Sequence, residues 1–162
     1  MNSDLKLFSG FLFTDFKYLM AYSIPLTSLI GFYFGGYWLF TTPFYIFFII
    51  PTVEFVLTRL GIDELETSRD EKGIHWIFDV MLYLNIPIVF GLLIYSLNII
   101  INFEFLSLEF VGSVLSIGLV IVSNGINVAH ELCHRTRTYE RFLGKFLLIP
   151  SLYMHFYLEH NY

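Results

Sequence analysis

Four long apolar stretches constrain this chain more than any other feature of its sequence. They cover residues 18–34, 37–57, 76–98 and 110–129, and a helix needs about 20 apolar residues to cross the hydrocarbon core of a bilayer. Only 14% of the residues are charged, whereas a soluble domain carries about a quarter. We therefore predict an all-α, polytopic transmembrane helix bundle with four spans, in which Gly35 and Gly36 form the tight turn between the first two.

The basic residues predict how these spans are oriented. Two precede the first span, three lie between the second and third, and four follow the fourth: Lys6, Lys17, Arg59, Arg69, Lys72, Arg135, Arg137, Arg141 and Lys145. The Gly35–Gly36 turn and the loop at 101–109 contain none. Because cytoplasmic loops carry the excess of Lys and Arg, we expect the N-terminus, the middle loop and the C-terminal end to face the cytoplasm, as in a multi-pass inner-membrane protein.

Other composition features exclude several protein classes. No basic run points to nucleic acid, and a single cysteine, Cys133, rules out an internal disulfide framework. Asp4 and Asp15 interrupt the N-terminal segment, which has no short apolar core followed by a small-residue cleavage site, so we expect the early apolar segments to be retained as anchors. Without repeats or a second soluble region, residues 1–162 are interpreted as a single membrane domain.

A polar stripe marks the end of the fourth apolar stretch. Asn127, His130, Glu131 and His134 share one face of a helix, because positions three and four apart lie one above another. Ionisable groups at membrane depth are energetically expensive and usually serve a function. Two histidines one turn apart can direct their ring nitrogens at one metal ion, so this stripe is a candidate metal site.

The same five residues, 130–134, also match the His-Glu-x-x-His motif of zinc metalloproteases. In that chemistry the two histidines bind zinc, and Glu131 would be the general base that activates water. Intramembrane zinc proteases place this motif in a membrane helix. The motif alone therefore leaves zinc hydrolysis and iron oxygenation both open.

The segment after His134 favours a site on one side of the membrane. Residues 142–156 are apolar but interrupted by Pro150, and 15 helical residues reach only about 22 Å, which is less than a bilayer core of about 30 Å. If this segment crossed, His160 would lie on the opposite side from His134. We therefore expect a short re-entrant or interfacial fifth helix that brings His160 to the same surface.

The sequence at 127–135, Asn-Val-Ala-His-Glu-Leu-Cys-His-Arg, resembles the first histidine box of the alkane 1-monooxygenase family, within the membrane fatty acid desaturase and hydroxylase superfamily. The lead-in at 152–156 is also similar. Glu159, His160 and Asn161 resemble the start of the family's second box, Glu-His-Asn-x-Gly-His-His. The likeness covers nearly the whole chain in pattern, with specific motifs only from Asn127 onward.

This resemblance implies two non-haem iron ions near the cytoplasmic face, O₂ as oxidant, a hydrocarbon substrate hydroxylated at its terminal C–H bond, and a rubredoxin-type electron donor. It makes His130, His134 and His160 the expected iron ligands. Three ligands cannot hold two irons, so we interpret residues 1–162 as the N-terminal part of a larger hydroxylase domain, truncated within the second box and inactive alone.

Several neighbours of these ligands have weaker assignments. Glu131 is the candidate catalytic residue, and it either orients a ligating histidine through a hydrogen bond or pairs with Arg135 one turn later. We expect three further residues to support the ligating side chains without binding the metal themselves: Asn127, His155 and Glu159. We expect Cys133 to point away from the histidines into the packing. Glu54 and Asp79, near the cytoplasmic ends of their spans, either reach interfacial water, which is the favoured interpretation, or support the metal site without binding the metal.

Three alternative functions stay open from the sequence. The nearest is a related di-iron enzyme, such as a fatty acid desaturase or a xylene-type hydroxylase, because substrate choice depends on a tunnel shape that one sequence does not give. The second is an intramembrane zinc protease, for which Glu159 is available as a third ligand. The third is a non-catalytic membrane protein such as a transporter.

Overall fold

The computed structural model describes residues 19–60 and 75–156, with side chains from residue 78 in the second range, and these residues form helices and no strands. The helices are α1 (Ser23–Phe34), α2 (Gly36–Arg59), α3 (His75–Ile100), α4 (Leu108–Cys133) and α5 (Thr138–Leu147). A 3-10 turn, Met20–Tyr22, precedes α1. The predicted all-α membrane bundle is confirmed.

Three of the described helices are long and apolar enough to cross a membrane: α2, α4 and the Phe78–Ile100 part of α3. They correspond to three of the four predicted spans. The first predicted span, 18–34, is represented by a shorter apolar helix, Met20–Phe34. At 1.5 Å per residue this helix is about 22 Å long, so the described part of that stretch is shorter than a full crossing requires.

Two glycines end α1 and begin α2, as predicted. Gly35 has φ 67° and Gly36 has φ 55°, a left-handed conformation that residues with a Cβ rarely adopt. The chain reverses there, and α2 packs back against α1. A Cβ on Gly31 would lie 2.7 Å from the carbonyl oxygen of Trp38, so the absence of a side chain at Gly31 allows the two helices to touch.

Helix α4 packs against α1, against the start of α2 and against α3. Its first turns approach α2 closely, because a Cβ on Gly112 would lie 2.8 Å from the Phe40 ring, and the Ser116 hydroxyl donates to the carbonyl of Leu39. Small residues at helix contacts are typical of membrane bundles, where close packing replaces the hydrophobic effect. The buried apolar residues are Phe32, Leu39, Val89, Leu92, Ile117, Val120, Ala129, Leu132, Leu147 and Leu148.

Helix α4 changes its winding before the histidine motif. It is α-helical over Leu108–Val120, π-helical over Ile121–Ile126 and α-helical again over Asn127–Cys133. Short π-helical segments inside α-helices often occur at functional sites. This segment resets the rotation of the helix, and it therefore determines which direction the following side chains face.

Helix α5 does not cross the membrane. Its ten residues extend about 15 Å, in agreement with the expected short fifth helix. The helix lies earlier than the apolar stretch 142–156 suggested, because it begins at Thr138 and ends at Leu147, before a 3-10 turn over Ile149–Ser151. Pro150 has no amide hydrogen to donate to the preceding turn, which disfavours extension of the α-helix, and Leu152, with φ 54°, completes the change of direction.

Candidate functional site

His130 and His134 form a pair at the end of α4. Their Nε2 atoms lie 3.0 Å apart, and their rings meet edge to face with centroids separated by 4.7 Å. His130 is half-buried, and His134, the first residue after the helix, is exposed. The two rings lie together as the spacing of four residues predicts, and their Nε2 atoms are within hydrogen-bonding distance of each other.

This geometry fits two ligands of one metal ion. Nitrogens that each lie about 2.1 Å from an ion, at a right angle to one another, are about 3.0 Å apart. Imidazole is a good ligand for iron, zinc and other transition metals, so the donor type does not choose between them. The imidazole donors of the pair therefore suit both zinc and the iron implied by the sequence resemblance.

Further ligands do not come from the residues that the structure describes. Within 19–60 and 75–156, no group of three or more His, Cys, Asp or Glu residues is placed to hold a metal ion. His160 and Glu159 lie outside the described residues, so their assignments as a ligand and as a supporting residue stay predictions. Of the three ligands predicted from the sequence, the described residues include two, His130 and His134, and their role as ligands stays a prediction.

The chain returns to the histidine pair after α5. The Phe156 ring packs edge to face against the His130 ring, with centroids 5.7 Å apart. Phe156 precedes His160 by four residues, so the segment that leads to the predicted third ligand starts at the site. The expectation that this segment stays on the same side as His134 is thus confirmed as far as Phe156.

An ion-pair network joins the histidine helix to α3. Arg135 Nη2 lies 3.3 Å from Glu131 Oε1, and Arg135 Nη1 lies 3.3 Å from Asp79 Oδ1. Of the two alternatives for Glu131, the structure therefore shows the pairing with Arg135. The interpretation that Asp79 merely reaches interfacial water is wrong, because its carboxylate meets this guanidinium and its side chain is only 23% exposed.

A second polar contact lies one turn further along α3. The Tyr83 hydroxyl donates to Glu140 Oε1 at 2.7 Å and lies 3.2 Å from the Tyr139 hydroxyl. Arg137 also donates to the Tyr139 hydroxyl, at 2.9 Å, and this hydrogen bond raises the pKa of Arg137. Glu140 is buried, and the sequence reasoning missed it, because a Glu beside Arg141 in a hydrophilic link resembles an ordinary surface residue.

Close packing fixes α5 against the last turns of α4. A Cβ on Gly144 would lie 2.8 Å from Cys133 Sγ and 2.9 Å from the carbonyl oxygen of Ala129. Cys133 is a free, buried thiol, which confirms that it faces the packing rather than the histidines. Phe146 of α5 stacks on Phe90 of α3, with ring centroids 4.6 Å apart, so α3, α4 and α5 meet around this end of the bundle.

Two buried asparagines were also missed by the sequence reasoning. Asn124, in the π-helical segment, donates to Asn85 Oδ1 at 2.8 Å and to the carbonyl of Ala21 at 3.0 Å. Asn85 in turn donates to the carbonyl of Met81. A polar residue inside an apolar stretch was the available signal, since such residues usually hydrogen-bond between membrane helices.

The remaining predicted residues are less closely tied to the pair. Asn127 is exposed on α4, and His155 is exposed with its ring edge to face against Tyr153, at a centroid distance of 4.5 Å. Their supporting roles stay predictions. Glu54 is exposed near the end of α2, in agreement with a carboxylate that reaches interfacial water.

Comparison with known proteins identifies several alkane 1-monooxygenases that are similar to this chain. The chain is 36% identical over 86 residues to alkane 1-monooxygenase 1 of Alcanivorax borkumensis, which covers 52% of this chain and 20% of that protein. It is 29% identical over 127 residues to alkane 1-monooxygenase 1 of Pseudomonas aeruginosa, covering 77% of this chain and 33% of the relative.

The longest of these alignments extends over 149 residues, or 88% of this chain, at 28% identity to alkane 1-monooxygenase 2 of Alcanivorax borkumensis, of which it covers 38%. No protein-family model matches the chain. The chain thus spans between a fifth and two-fifths of the length of these relatives. The expected resemblance to alkane 1-monooxygenases is confirmed at the level of the sequence, and this membrane chain is similar to part of those proteins.

Proposed function

We propose that this chain forms part of a non-haem iron membrane monooxygenase that hydroxylates the terminal C–H bond of alkanes with O₂. The observation that carries the proposal is the pair of Nε2 atoms 3.0 Å apart on a membrane helix, in a chain similar to proteins named alkane 1-monooxygenase. Two iron ions are proposed, as the sequence resemblance implies. His130 and His134 would hold one of them, and His160 is the proposed next ligand.

The described residues would contribute position and shielding to this chemistry. Bound iron would supply the activation of O₂ for insertion of an oxygen atom into an unactivated C–H bond. His130 and His134 are held at the end of α4, which α5 packs against through Gly144. The Phe156 ring covers one side of His130 and limits the approach of water from that direction.

The proposed substrate and partners follow from where the pair lies. A hydrocarbon would reach it from the bilayer, because the pair ends a helix that is apolar enough to span a membrane. By the distribution of Lys and Arg, the site faces the cytoplasm. A rubredoxin-type carrier in that compartment is the proposed electron donor, since a monooxygenase reaction requires two electrons for each O₂.

The Arg135 contact counts against the zinc protease alternative. A general base in His-Glu-x-x-His chemistry must direct its carboxylate at metal-bound solvent. Glu131 instead meets the guanidinium of Arg135 at 3.3 Å. The related desaturases and xylene-type hydroxylases share the proposed histidine chemistry, and the substrate assay below separates them.

The test uses the whole protein containing this chain, purified in detergent and loaded separately with iron or zinc. With a rubredoxin and its reductase, the iron form should convert alkanes, tested as a series of chain lengths, to primary alcohols, measured by gas chromatography, with incorporation of ¹⁸O from labelled O₂. The zinc form should be inactive. Conversion of a fatty acyl substrate to an alkene, or peptide cleavage by the zinc form, would replace the proposal with the corresponding alternative.

A further inference from the structure

Glu131 lies between two proposed ligands along the helix but is directed elsewhere. It follows His130 directly and precedes His134 by three residues. Its side chain is 55% exposed, yet its Oε1 atom meets Arg135 Nη2 at 3.3 Å. An exposed carboxylate beside two imidazoles is therefore held by a specific cation on the next turn.

That cation is itself anchored on another helix. Arg135 uses its second terminal nitrogen, Nη1, to meet Asp79 on α3 at 3.3 Å, and its Nε atom is buried without a hydrogen-bond partner among the described residues. A guanidinium is a planar fork whose nitrogens have fixed relative positions. Asp79 Oδ1 is buried and has no hydrogen-bond partner within 19–60 and 75–156, so its pairing with Arg135 is an electrostatic contact. Because the same guanidinium also pairs with Glu131, it links the position of the Glu131 carboxylate to α3 as well as to its own helix.

We propose that Arg135, anchored by Asp79, is a positioning residue that holds the Glu131 carboxylate away from the metal site at His130 and His134. The inference rests on the proposed function, because it assigns a role relative to that metal. It explains why a chain with the His-Glu-x-x-His pattern does not offer the glutamate that hydrolytic chemistry needs. Removing Arg135 would release Glu131 toward the histidine pair.

The first measurement needs no metal. The metal-free protein is treated with a water-soluble carbodiimide and an amine, and amide formation at Glu131 is quantified by peptide mass spectrometry. An ion-paired carboxylate reacts more slowly than a free one, and an exposed pair one helical turn apart is worth about 0.3–0.5 kcal/mol, so Arg135→Gln should raise the labelling rate of Glu131 by about twofold. Asp79→Asn should raise it by a smaller factor. Glu104, exposed in the loop between α3 and α4, is the internal control and should label equally in all variants.

The second measurement is a double-mutant cycle with Co²⁺ as a spectroscopic probe of the site. In the wild-type background, Glu131→Gln should change the Co²⁺ affinity by less than about threefold, because the carboxylate is held away. In the Arg135→Gln background, the same substitution should weaken binding by about tenfold, because the released carboxylate then supports the ion. Thermal unfolding of each variant accompanies the titrations, and Asp79→Asn replaces Arg135→Gln if the latter does not fold.

The outcomes separate this inference from the proposed function. Equal labelling of Glu131 with and without Arg135 overturns the positioning role, as does an identical effect of Glu131→Gln on Co²⁺ binding in both backgrounds. A merely structural Arg135 would lower the unfolding temperature without producing either difference. If labelling changes as expected but the wild type binds neither Co²⁺ nor iron, the metal function fails while the restraint of Glu131 by Arg135 stands.

Discussion

The two ends of the bundle are held together by different kinds of contact. At the turn end, defined as residues 31–40 with α4 residues 112–116, backbones meet across Gly31 and Gly112. At the histidine end, defined as Asp79, Tyr83 and residues 130–144, the contacts join carboxylates, a guanidinium and phenols, with the close contact at Gly144. Close packing is the usual source of stability between membrane helices, whereas ionisable groups at membrane depth are expensive and functional. We therefore expect close packing to stabilise both ends and the proposed chemistry to depend on the histidine end alone.

The largest effect is expected from a substitution at the histidine end. His134→Ala should lower alkane hydroxylation by more than about 100-fold. Removing a group that only hydrogen-bonds to a metal ligand already lowers metal affinity or activity by about 10–100-fold, and His134 is itself a proposed ligand. His134 is exposed, so the free energy of unfolding should change by less than about 0.5 kcal/mol. Activity per folded molecule and thermal unfolding in detergent are the two measurements.

Tyr37→Ala is the control for this prediction at the turn end. Tyr37 is 84% exposed and lies in no proposed site, so both activity and stability should stay near those of the wild type. A His134→Ala protein that keeps full activity would remove the histidine pair from the proposed chemistry.

A matched pair of glycine substitutions compares the ends directly. Gly31→Ala and Gly144→Ala each place a Cβ within 3.0 Å of a backbone carbonyl oxygen, at Trp38 and Ala129 respectively. Overpacking of this kind costs about 1–3 kcal/mol, so both variants should unfold more readily. Only Gly144→Ala should also lower activity per folded molecule, because it pushes α5 away from the turn that carries His130.

Gly118→Ala provides the reference for that pair. Gly118 also lies in a helix, but a Cβ at that position would meet nothing within 4 Å. Replacing a helical Gly with Ala stabilises the helix by up to about 1 kcal/mol. Stability equal to or above that of the wild type is expected. An activity loss in Gly31→Ala as large as that in Gly144→Ala would contradict the division between the two ends.

Removing a hydroxyl at the histidine end tests one hydrogen bond and leaves the backbone packing unchanged. Tyr83→Phe deletes the donor to the buried Glu140 carboxyl group at 2.7 Å, and a buried polar group that loses its partner costs about 1–3 kcal/mol. Unfolding in detergent with increasing denaturant measures the loss. Tyr33→Phe removes a hydroxyl from a residue that is 76% exposed at the turn end, and no measurable change is expected there.

Local sequence patterns predicted the features that depend on one segment. The length of the apolar stretches predicted the helices, and Gly35 and Gly36 predicted the turn. The spacing of four residues predicted that the His130 and His134 rings lie together. The missed contacts join residues far apart in the chain: Tyr83 and Glu140 are 57 residues apart, and Asn85 and Asn124 are 39. Such contacts depend on how each helix is rotated, and the π-helical segment Ile121–Ile126 changes that rotation in a way that hydropathy does not reveal.

The asparagine pair lies between the two ends and gives the smallest expected effect. Asn124→Leu should destabilise the protein by about 1 kcal/mol, which is typical of hydrogen bonds between membrane helices, and it leaves Asn85 Oδ1 without the donor at 2.8 Å. Asn85→Leu combined with Asn124→Leu should cost less than the sum of the two single changes, because neither partner is then left unpaired. Denaturant unfolding of the four proteins measures this coupling.

Activity per folded molecule in the same variants shows where the boundary between the ends lies. Asn124 belongs to the π-helical segment that directly precedes the histidine turn, and it also holds α1 through the carbonyl of Ala21. If Asn124→Leu lowers activity beyond its effect on stability, the helix rotation set by this segment is part of the chemical end. If activity per folded molecule is unchanged, α5 and the Arg135 contacts suffice to orient the pair, and the asparagines belong with the packing of the turn end.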